Sequence, residues 1–232
     1  MATRPRHALI TGGSRGIGLA IAQLFAKNSY RCTLISRSES DLQAAVATLQ
    51  PLPPMSSQYE SPGFQFLHGY VPGNISAGLP SAKQFWSTSA RSPLRARLGK
   101  PDPSKGMLDP SHVDVLVNCA GVTQAKLFIM LDEATIENII STNLTSLMHG
   151  TKFLMRNQYL RNHIKEEGFS PVVINVSSLL GLQGGYGAVA YAASKAGVLG
   201  FTRALATEYA NHKVRVNAIV PGYVETDMTK GV

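Results

Sequence analysis

The chain of 232 residues carries a formal net charge of +8, and its 44% hydrophobic and 16% charged residues are typical of a globular protein with a core. It has no run of about 18 apolar residues, so no membrane span is predicted, and its first strand-like run comes too early for a cleaved secretory signal. Two cysteines without metal-ligand spacing favour a reducing compartment, cytoplasmic or mitochondrial matrix, over secretion.

The first part of the chain alternates strand-like and helix-like segments. Short apolar runs at 7–11 and 31–36 are typical of buried parallel strands, and helical spacing begins at Gly16 and again at 39–50. This alternation indicates right-handed βαβ units on a parallel sheet. We predict an α/β fold with a doubly wound parallel sheet, helices on both faces, and a single domain over 1–232.

The segment 51–110 interrupts this pattern and holds ten of the thirteen prolines. One strand is predicted near 64–69, and a Pro-rich basic insertion in loop conformation is predicted at about 77–111. From Lys83 to Lys105 there are six basic residues and one acidic residue. Because interleaved aromatic residues and a recognition-helix pattern are missing there, we expect a solvated loop or a surface for an acidic partner, and no nucleic acid.

Regular structure is predicted again from residue 113 onward. A helix that carries Tyr191 and ends near Asn211 lies between the last two of three strands, and another helix precedes the second. The strands are expected at 113–121, 171–178 and 214–222, and the earlier helix at 133–161.

A glycine-rich stretch, TGGSRGIG, joins the first strand to the first helix. Glycines at such a junction allow a pyrophosphate to approach backbone amides at a helix N-terminus. An ordinary strand–helix turn is the alternative. The residues predicted to bind a dinucleotide are Thr11, Gly12, Ser14, Arg15, Gly16, Ile17 and Gly18.

The end of the second strand bears on the choice of dinucleotide. An NAD site usually offers an acidic residue there to the ribose hydroxyls, whereas this chain has Ser36, Arg37 and Ser38. Arg37 and Arg15 could pair with a ribose 2′-phosphate, which points to NADPH/NADP, or could simply be exposed.

Tyr191 and Lys195 are four residues apart among small residues, so they share one helix face. With these motifs in order, the chain resembles the short-chain dehydrogenase/reductase family, in the subgroup that reduces 3-oxoacyl groups on acyl carrier protein. The family's glycine motif matches TGGSRGIG, and its Asn-Asn-Ala-Gly motif appears as NCAG at 118–121, with Cys119 in place of the second asparagine. The resemblance covers 6–50 and 113–229.

The resemblance implies a Rossmann-like fold, NADPH as cofactor and reduction of a 3-oxoacyl thioester in fatty-acid biosynthesis. Its active-site residues map onto Asn143, Ser178, Tyr191 and Lys195, with Ser177 as an alternative to Ser178. Lys195 is expected to lower the pKa of Tyr191 and bind the nicotinamide ribose, Ser178 to hold the carbonyl, and Asn143 to support Lys195 through a water. Further cofactor contacts are implied at Asn118, Ala120, Gly121, Pro221, Gly222, Val224 and Thr226.

Three departures from the family pattern accompany this resemblance. The adenine-contacting pair after the third strand has two alignments, one using Asn74 and Ile75 and a rival at 69–71. The link from Asn143 to Ser178 is long, which predicts a helix extended over 156–168. Family members continue some fifty residues further, with two helices and a last strand at the tetramer interface, so this portion and the homo-oligomer are in doubt here.

Other readings remain open. A general carbonyl, quinone or polyol reductase would share every motif, and a catalytically silent nucleotide-binding form is an alternative of another class. Acyl carrier protein is a possible partner, through basic residues expected near the active-site rim: Arg156, Arg161, Lys165 and Lys213. The six histidines lack ligand spacing, so no metal is predicted.

Overall fold

The computed structural model describes residues 4–53, 66–76, 85–86, 97–100, 111–124, 126–162 and 169–230. Its centre is a parallel sheet of six strands in the order β3-β2-β1-β4-β5-β6 within these ranges. The strands are β1 His7–Thr11, β2 Arg31–Ser36, β3 Gly69–Pro72, β4 Val115–Asn118, β5 Val172–Val176 and β6 Arg215–Ile219. The strand order reverses between β1 and β4, and ligands of open α/β sheets bind at the carboxyl end of such a reversal.

Six α-helices connect the described strands. They are α1 Gly16–Lys27, α2 Glu39–Ala47, α3 Glu133–Ile140, α4 Ser146–Arg156, α5 Leu180–Gln183 and α6 Val189–Tyr209. Two of them begin at side-chain caps, because Ser38 accepts a hydrogen bond from Asp41 N and Asp132 accepts one from Thr135 N. None of the helices in the described ranges is long and apolar enough to cross a membrane.

Strand side chains alternate between two hydrophobic clusters, one on each face of the sheet. Leu9, Leu116 and Val173 belong to one cluster, whereas Ile10 and Val117 belong to the other. Successive residues of a strand point to opposite faces, so these apolar runs require cover on both. The fold class predicted from the sequence is therefore confirmed.

Two predicted elements differ most from the structure in their bounds. The third strand is Gly69–Pro72 and not 64–69; residues 66–68 precede it, and 64–65 lie outside the described residues. The helix predicted over 133–161 is interrupted by a π-helical turn, Ser141–Thr145, and ends at Arg156. The predicted extension is wrong for 157–162, because Asn157 caps α4 through its N–H bond to Phe153 O; residues 163–168 lie outside the described ranges.

Parts of the predicted insertion pack against the core. Phe85, Leu98 and Ser111 are buried, and Tyr159 donates a hydrogen bond to Gly99 O at 2.8 Å. A fully solvated loop is thus wrong for these residues. The insertion's other residues, 77–84, 87–96 and 101–110, lie outside the described part of the chain.

A buried cluster of charged and polar side chains lies at the amino ends of β1 and β4. Arg4 donates to both carboxylate oxygens of Asp114, at 2.7 and 3.1 Å. Burial opposes ionisation of Asp114, but hydrogen bonds and charge from His112 and Arg4 hold its pKa well below the ordinary value. Arg31 Nη2 lies 2.7 Å from His7 Nδ1. A guanidinium can only donate, so Nδ1 accepts this bond and carries no proton for His112 O, which lies 3.1 Å away; Nε2–H then donates to Thr33 Oγ1 at 2.8 Å.

We expect this neutral His7 to make folding stability fall as the pH drops below about 6.5. Burial first, and the charges of Arg31 and Arg4 second, lower the pKa of His7 well below that value in the folded state. Below that pH the unfolded chain therefore binds a proton at His7 that the folded chain does not bind. The free energy of unfolding then falls by at most about 1.4 kcal/mol per pH unit. Urea unfolding at pH 7.5 and 5.5 should show a smaller loss for His7→Gln than for the wild type. An identical pH dependence in both proteins would contradict the assignment.

Candidate active site

A cavity of about 550 Å³ opens at the carboxyl ends of the central strands. Its walls come from the glycine loop after β1, the tip of β2, the loops after β3 and β4, the end of β5, α6 and the segment after β6. Most of the residues predicted from the sequence line it. They are Gly12, Ser14, Arg15, Gly16, Ile17, Gly18, Arg37, Asn74, Ala120, Gly121, Ser178, Tyr191, Lys195, Pro221, Gly222, Val224 and Thr226.

The glycine loop is packed too closely for side chains at two positions. A Cβ at Gly18 would lie 2.2 Å from Gly12 O, and a Cβ at Gly12 would lie 2.8 Å from Ala120 Cα. Gly12 also has a φ of +68°, a left-handed conformation that glycine adopts without strain. These contacts bring the N-terminus of α1 against the loop after β4, and Gly16, Ile17 and Gly18 line the cavity there.

The end of the cavity beside β2 carries exposed positive charge. Arg15 and Arg37 are exposed and line this wall, and Ser14 donates a hydrogen bond to Ser36 at 3.0 Å. Gly73 N donates to Ser36 O at 2.8 Å, so the loop after β3 lies directly beside Arg37. Of the two alignments, the one using Asn74 and Ile75 reaches the cavity, whereas 69–71 lies within β3.

Tyr191 and Ser178 form a polar pair at the other end of the cavity. A hydrogen bond with Ser178 acts on the Tyr191 phenol, but burial is the larger effect and raises the Tyr191 pKa above its ordinary value. The lowering by Lys195 expected from the sequence is therefore wrong for the chain as described. Ser177 is less suited to the substrate contact, because its hydroxyl donates to Lys195 O at 2.8 Å.

Lys195 is buried at 5% exposure on α6, one turn after Tyr191. Its ammonium donates to Val176 O at 2.9 Å and lies 5.7 Å from the centre of the Tyr191 ring. Burial lowers the Lys195 pKa to about 8, so the group titrates near neutral pH.

Asn143 is fully buried in the π-helical turn and does not line the cavity. Its amide accepts from Val122 N at 2.7 Å, and donates to Val122 O at 2.9 Å and to Ser194 Oγ at 3.0 Å. The side chain thus joins the loop after β4 to α6. A Cβ at Gly121 would lie 3.2 Å from Asn143 Oδ1 and 3.6 Å from Lys195 Nζ, so both groups approach Gly121, and the expected support of Lys195 through a water stays a prediction.

Thr11 and Asn118, two further predicted cofactor-binding residues, do not line the cavity, and their part in cofactor binding stays a prediction. Thr11 Oγ1 accepts hydrogen bonds from Cys119 N and Ala120 N, at 3.1 and 3.3 Å, and shapes the loop after β4. Asn118 donates to Asn175 at 2.8 Å, and Asn175 donates to Thr202 on α6 at 2.9 Å. This series is the buried amide ladder.

Gln124 is a buried residue that the sequence interpretation missed. Its Oε1 accepts from Ala190 N at 2.9 Å and from Tyr191 N at 3.3 Å, and its amide nitrogen donates to Lys126 O. Ala188, the residue at the start of α6, has no capping side chain, so Gln124 satisfies the first N–H groups of the helix that carries Tyr191. A cap supplied from 66 residues away leaves no local sequence signal.

Cys119 lines the cavity near Lys195. Burial raises the pKa of its thiol to about 11, against the opposing charge of Lys195. The thiol is therefore protonated at neutral pH and contributes packing rather than nucleophilic chemistry.

The basic residues expected near the active-site rim lie elsewhere. Arg156 ends α4, and Lys213 lies two residues before the first residue of β6, both at the amino end of the sheet. Tyr159, three residues beyond Arg156, accepts a hydrogen bond at its carbonyl from Val113 N, just before β4. Arg161 follows Tyr159, and Lys165 lies outside the described residues. The predicted carrier-protein contact at the rim is therefore wrong for Arg156, Arg161 and Lys213.

Comparison with known proteins agrees with this geometry. The family model for short chain dehydrogenase matches residues 6–59 and 106–232. Nodulation protein G of Azospirillum brasilense is 36% identical over 97% of the chain and 77% of its own length. A 3-oxoacyl-[acyl-carrier-protein] reductase of Homo sapiens is 33% identical over 95% of the chain and 76% of its own length.

Two solved structures are similar to the whole described sheet. A short-chain alcohol dehydrogenase from Sinorhizobium meliloti 1021 has a TM-score of 0.70 and 32% identity, over 97% of this chain and 75% of its own. A variant of the actinorhodin polyketide ketoreductase, solved with NADPH, has a TM-score of 0.71 and 28% identity, over 98% of this chain and 74% of its own.

The chain belongs to the short-chain dehydrogenase family. It is an oxidoreductase that acts on carbonyl or hydroxyl groups, as the sequence predicted.

Proposed function

We propose that the chain reduces a 3-oxoacyl thioester to the 3-hydroxyacyl form with NADPH. The observation that carries this proposal is one cavity that has the glycine loop and two exposed arginines at one end and Tyr191, Ser178 and Lys195 at the other. Relatives named as 3-oxoacyl-[acyl-carrier-protein] reductases, from Homo sapiens and Chlamydia trachomatis, support the choice of substrate.

The residues present fit NADPH. The close packing of Gly12 and Gly18 leaves backbone amides at the start of α1 for a pyrophosphate. Arg15 and Arg37 offer forked donors for a 2′-phosphate, and no carboxylate stands at the tip of β2. The ketoreductase solved with NADPH supports the same cofactor.

The chain's own residues then account for the proton and the alignment of the carbonyl. When bound in this cavity, NADPH would supply the hydride that the carbonyl carbon takes up. Tyr191, whose raised pKa keeps the phenol protonated at neutral pH, donates its proton to the carbonyl oxygen. Ser178 donates a hydrogen bond to the same oxygen, and the buried Lys195 ammonium, 5.7 Å from the centre of the Tyr191 ring, stabilises the phenolate until it takes a proton from water.

A small-ketone or polyketide-like substrate is the second candidate. Two of the similar proteins, nodulation protein G and the polyketide ketoreductase, are not named as 3-oxoacyl reductases. Absorbance at 340 nm during NADPH oxidation distinguishes the candidates. We expect faster turnover with an acetoacetyl thioester, free or carrier-linked, than with free ketones or quinones. Turnover of ketones or quinones alone would overturn the thioester assignment. Folded protein that binds NADPH but reduces none of these compounds would favour the catalytically silent form.

A further inference from the structure

The loop after β3, Gly73–Ser76, forms the cavity wall beside Arg37. We call it the cofactor-side loop. Asn74 Oδ1 accepts from Ser76 N at 3.0 Å, and Ser76 shares a 2.7 Å hydrogen bond with Thr142. These contacts hold the end of the loop in place. They do not cover its outer side, which packs against another part of the chain.

Two aromatic residues of the insertion cover that outer side. Phe85 is buried, and its ring occupies the space where a Cβ at Gly73 would lie, 2.5 Å from Phe85 Cδ2. Trp86 Nε1 donates a hydrogen bond to Ile75 O at 3.2 Å. The dipeptide therefore touches the cofactor-side loop at both Gly73 and Ile75.

The same dipeptide is held by the body of the protein. The Trp86 ring packs on Gly150 of α4, where a Cβ would lie 2.7 Å from Trp86 Cη2. It also lies 6.1 Å from the Phe153 ring, which stacks on Tyr159 at 5.7 Å. Trp86 is thus fixed between α4 and the cofactor-side loop.

We infer that Phe85 and Trp86 are positioning residues for NADPH, which tie the insertion to the cofactor-side loop and hold it beside Arg37. This inference rests on the proposed cofactor. It gives the insertion a role in cofactor affinity, at the adenosine end, with no contact to the reacting atoms. Phe85 and Trp86 therefore affect Kd, and saturating NADPH restores kcat.

The test is Trp86→Phe, which keeps an aromatic ring and removes the donor to Ile75. Losing one hydrogen bond to a loop that must be ordered weakens NADPH binding about three- to tenfold. Calorimetry should show the same loss for 2′,5′-ADP, the adenosine half, and kcat at saturating NADPH should stay within about twofold. Amide hydrogen exchange over 73–76 should rise in the variant without any cofactor.

Tyr159→Phe is the matched control, because it removes another hydrogen bond of the insertion, to Gly99, without touching the cofactor-side loop. It should lower stability and leave NADPH affinity and exchange over 73–76 unchanged. Phe85→Leu is the second variant, and it should repeat the affinity loss if Trp86→Phe does not fold. If the folded variants keep the wild-type NADPH affinity and the wild-type amide exchange over 73–76, the inference is overturned and the proposed cofactor is not. A wild-type chain that does not bind NADPH overturns the proposed cofactor and, with it, the inference.

Discussion

Tyr191→Phe is expected to lower kcat by about a hundredfold to ten-thousandfold, the usual range for removing a general acid. The Tyr191 side chain, on α6, lines the cavity, as does Ser178 after β5. Burial keeps the Tyr191 phenol protonated. Removing one oxygen should leave the NADPH Kd close to that of the wild type, because the ring and the Lys195 ammonium remain in place. Steady-state NADPH oxidation with an acetoacetyl thioester and calorimetric titration provide the two numbers.

Tyr186→Phe provides the control for this experiment. Tyr186 lies five residues earlier, and 94% of it is exposed, so removal of its hydroxyl should leave kcat unchanged. A Tyr191→Phe variant that keeps more than about a tenth of wild-type turnover would show that another group protonates the carbonyl.

Arg37→Ala is expected to weaken NADPH binding about 10- to 100-fold and to leave NADH binding nearly unchanged. A charge-assisted hydrogen bond contributes about 1.5–3 kcal/mol, and NADH lacks the 2′-phosphate that would accept it. The arginine is exposed at the tip of β2, so its loss should not disturb the core. Calorimetric titrations with both cofactors at one salt concentration measure the change in preference.

Arg156→Ala is the matched control, since it removes the same charge from the opposite end of the sheet. It should leave both affinities as in the wild type. Equal weakening of NADPH and NADH by Arg37→Ala would mean that the side chain supports the loop rather than a phosphate.

Strand–helix alternation was enough to predict the fold class, because buried strands and amphipathic helices leave periodic apolar patterns. Strand β3 was misplaced, since Gly69–Pro72 has only a short apolar signal and its pairing with β2 determines where it begins. The π-helical turn at Asn143 was not predicted either. Its amide bonds to Val122 and Ser194 come from distant segments, and local propensity does not report them.

The candidate site was predicted from residues whose chemistry needs a fixed spacing, such as Tyr191 with Lys195. The sequence does not show which polar atoms of a motif are used for hydrogen bonds inside the protein. Thr11 and Asn118 carry the residue types of a binding motif, yet their polar atoms are used by backbone and by Asn175. Gln124 and Trp86 were missed for the opposite reason, because their partners become neighbours only in the folded chain.

The buried amide ladder also has a consequence for how β4 and β5 align. Asn118 and Asn175 are directly paired across β4 and β5. A slip of one residue would place an amide against an apolar face and leave its hydrogen-bonding groups unsatisfied, at about 1–3 kcal/mol for each group. The ladder therefore holds β4 and β5 in one register. The register of these two strands determines where Gly121 and Ser178 lie beyond their carboxyl ends. It therefore also determines the distance between the positions from which a hydride and a proton reach one carbonyl.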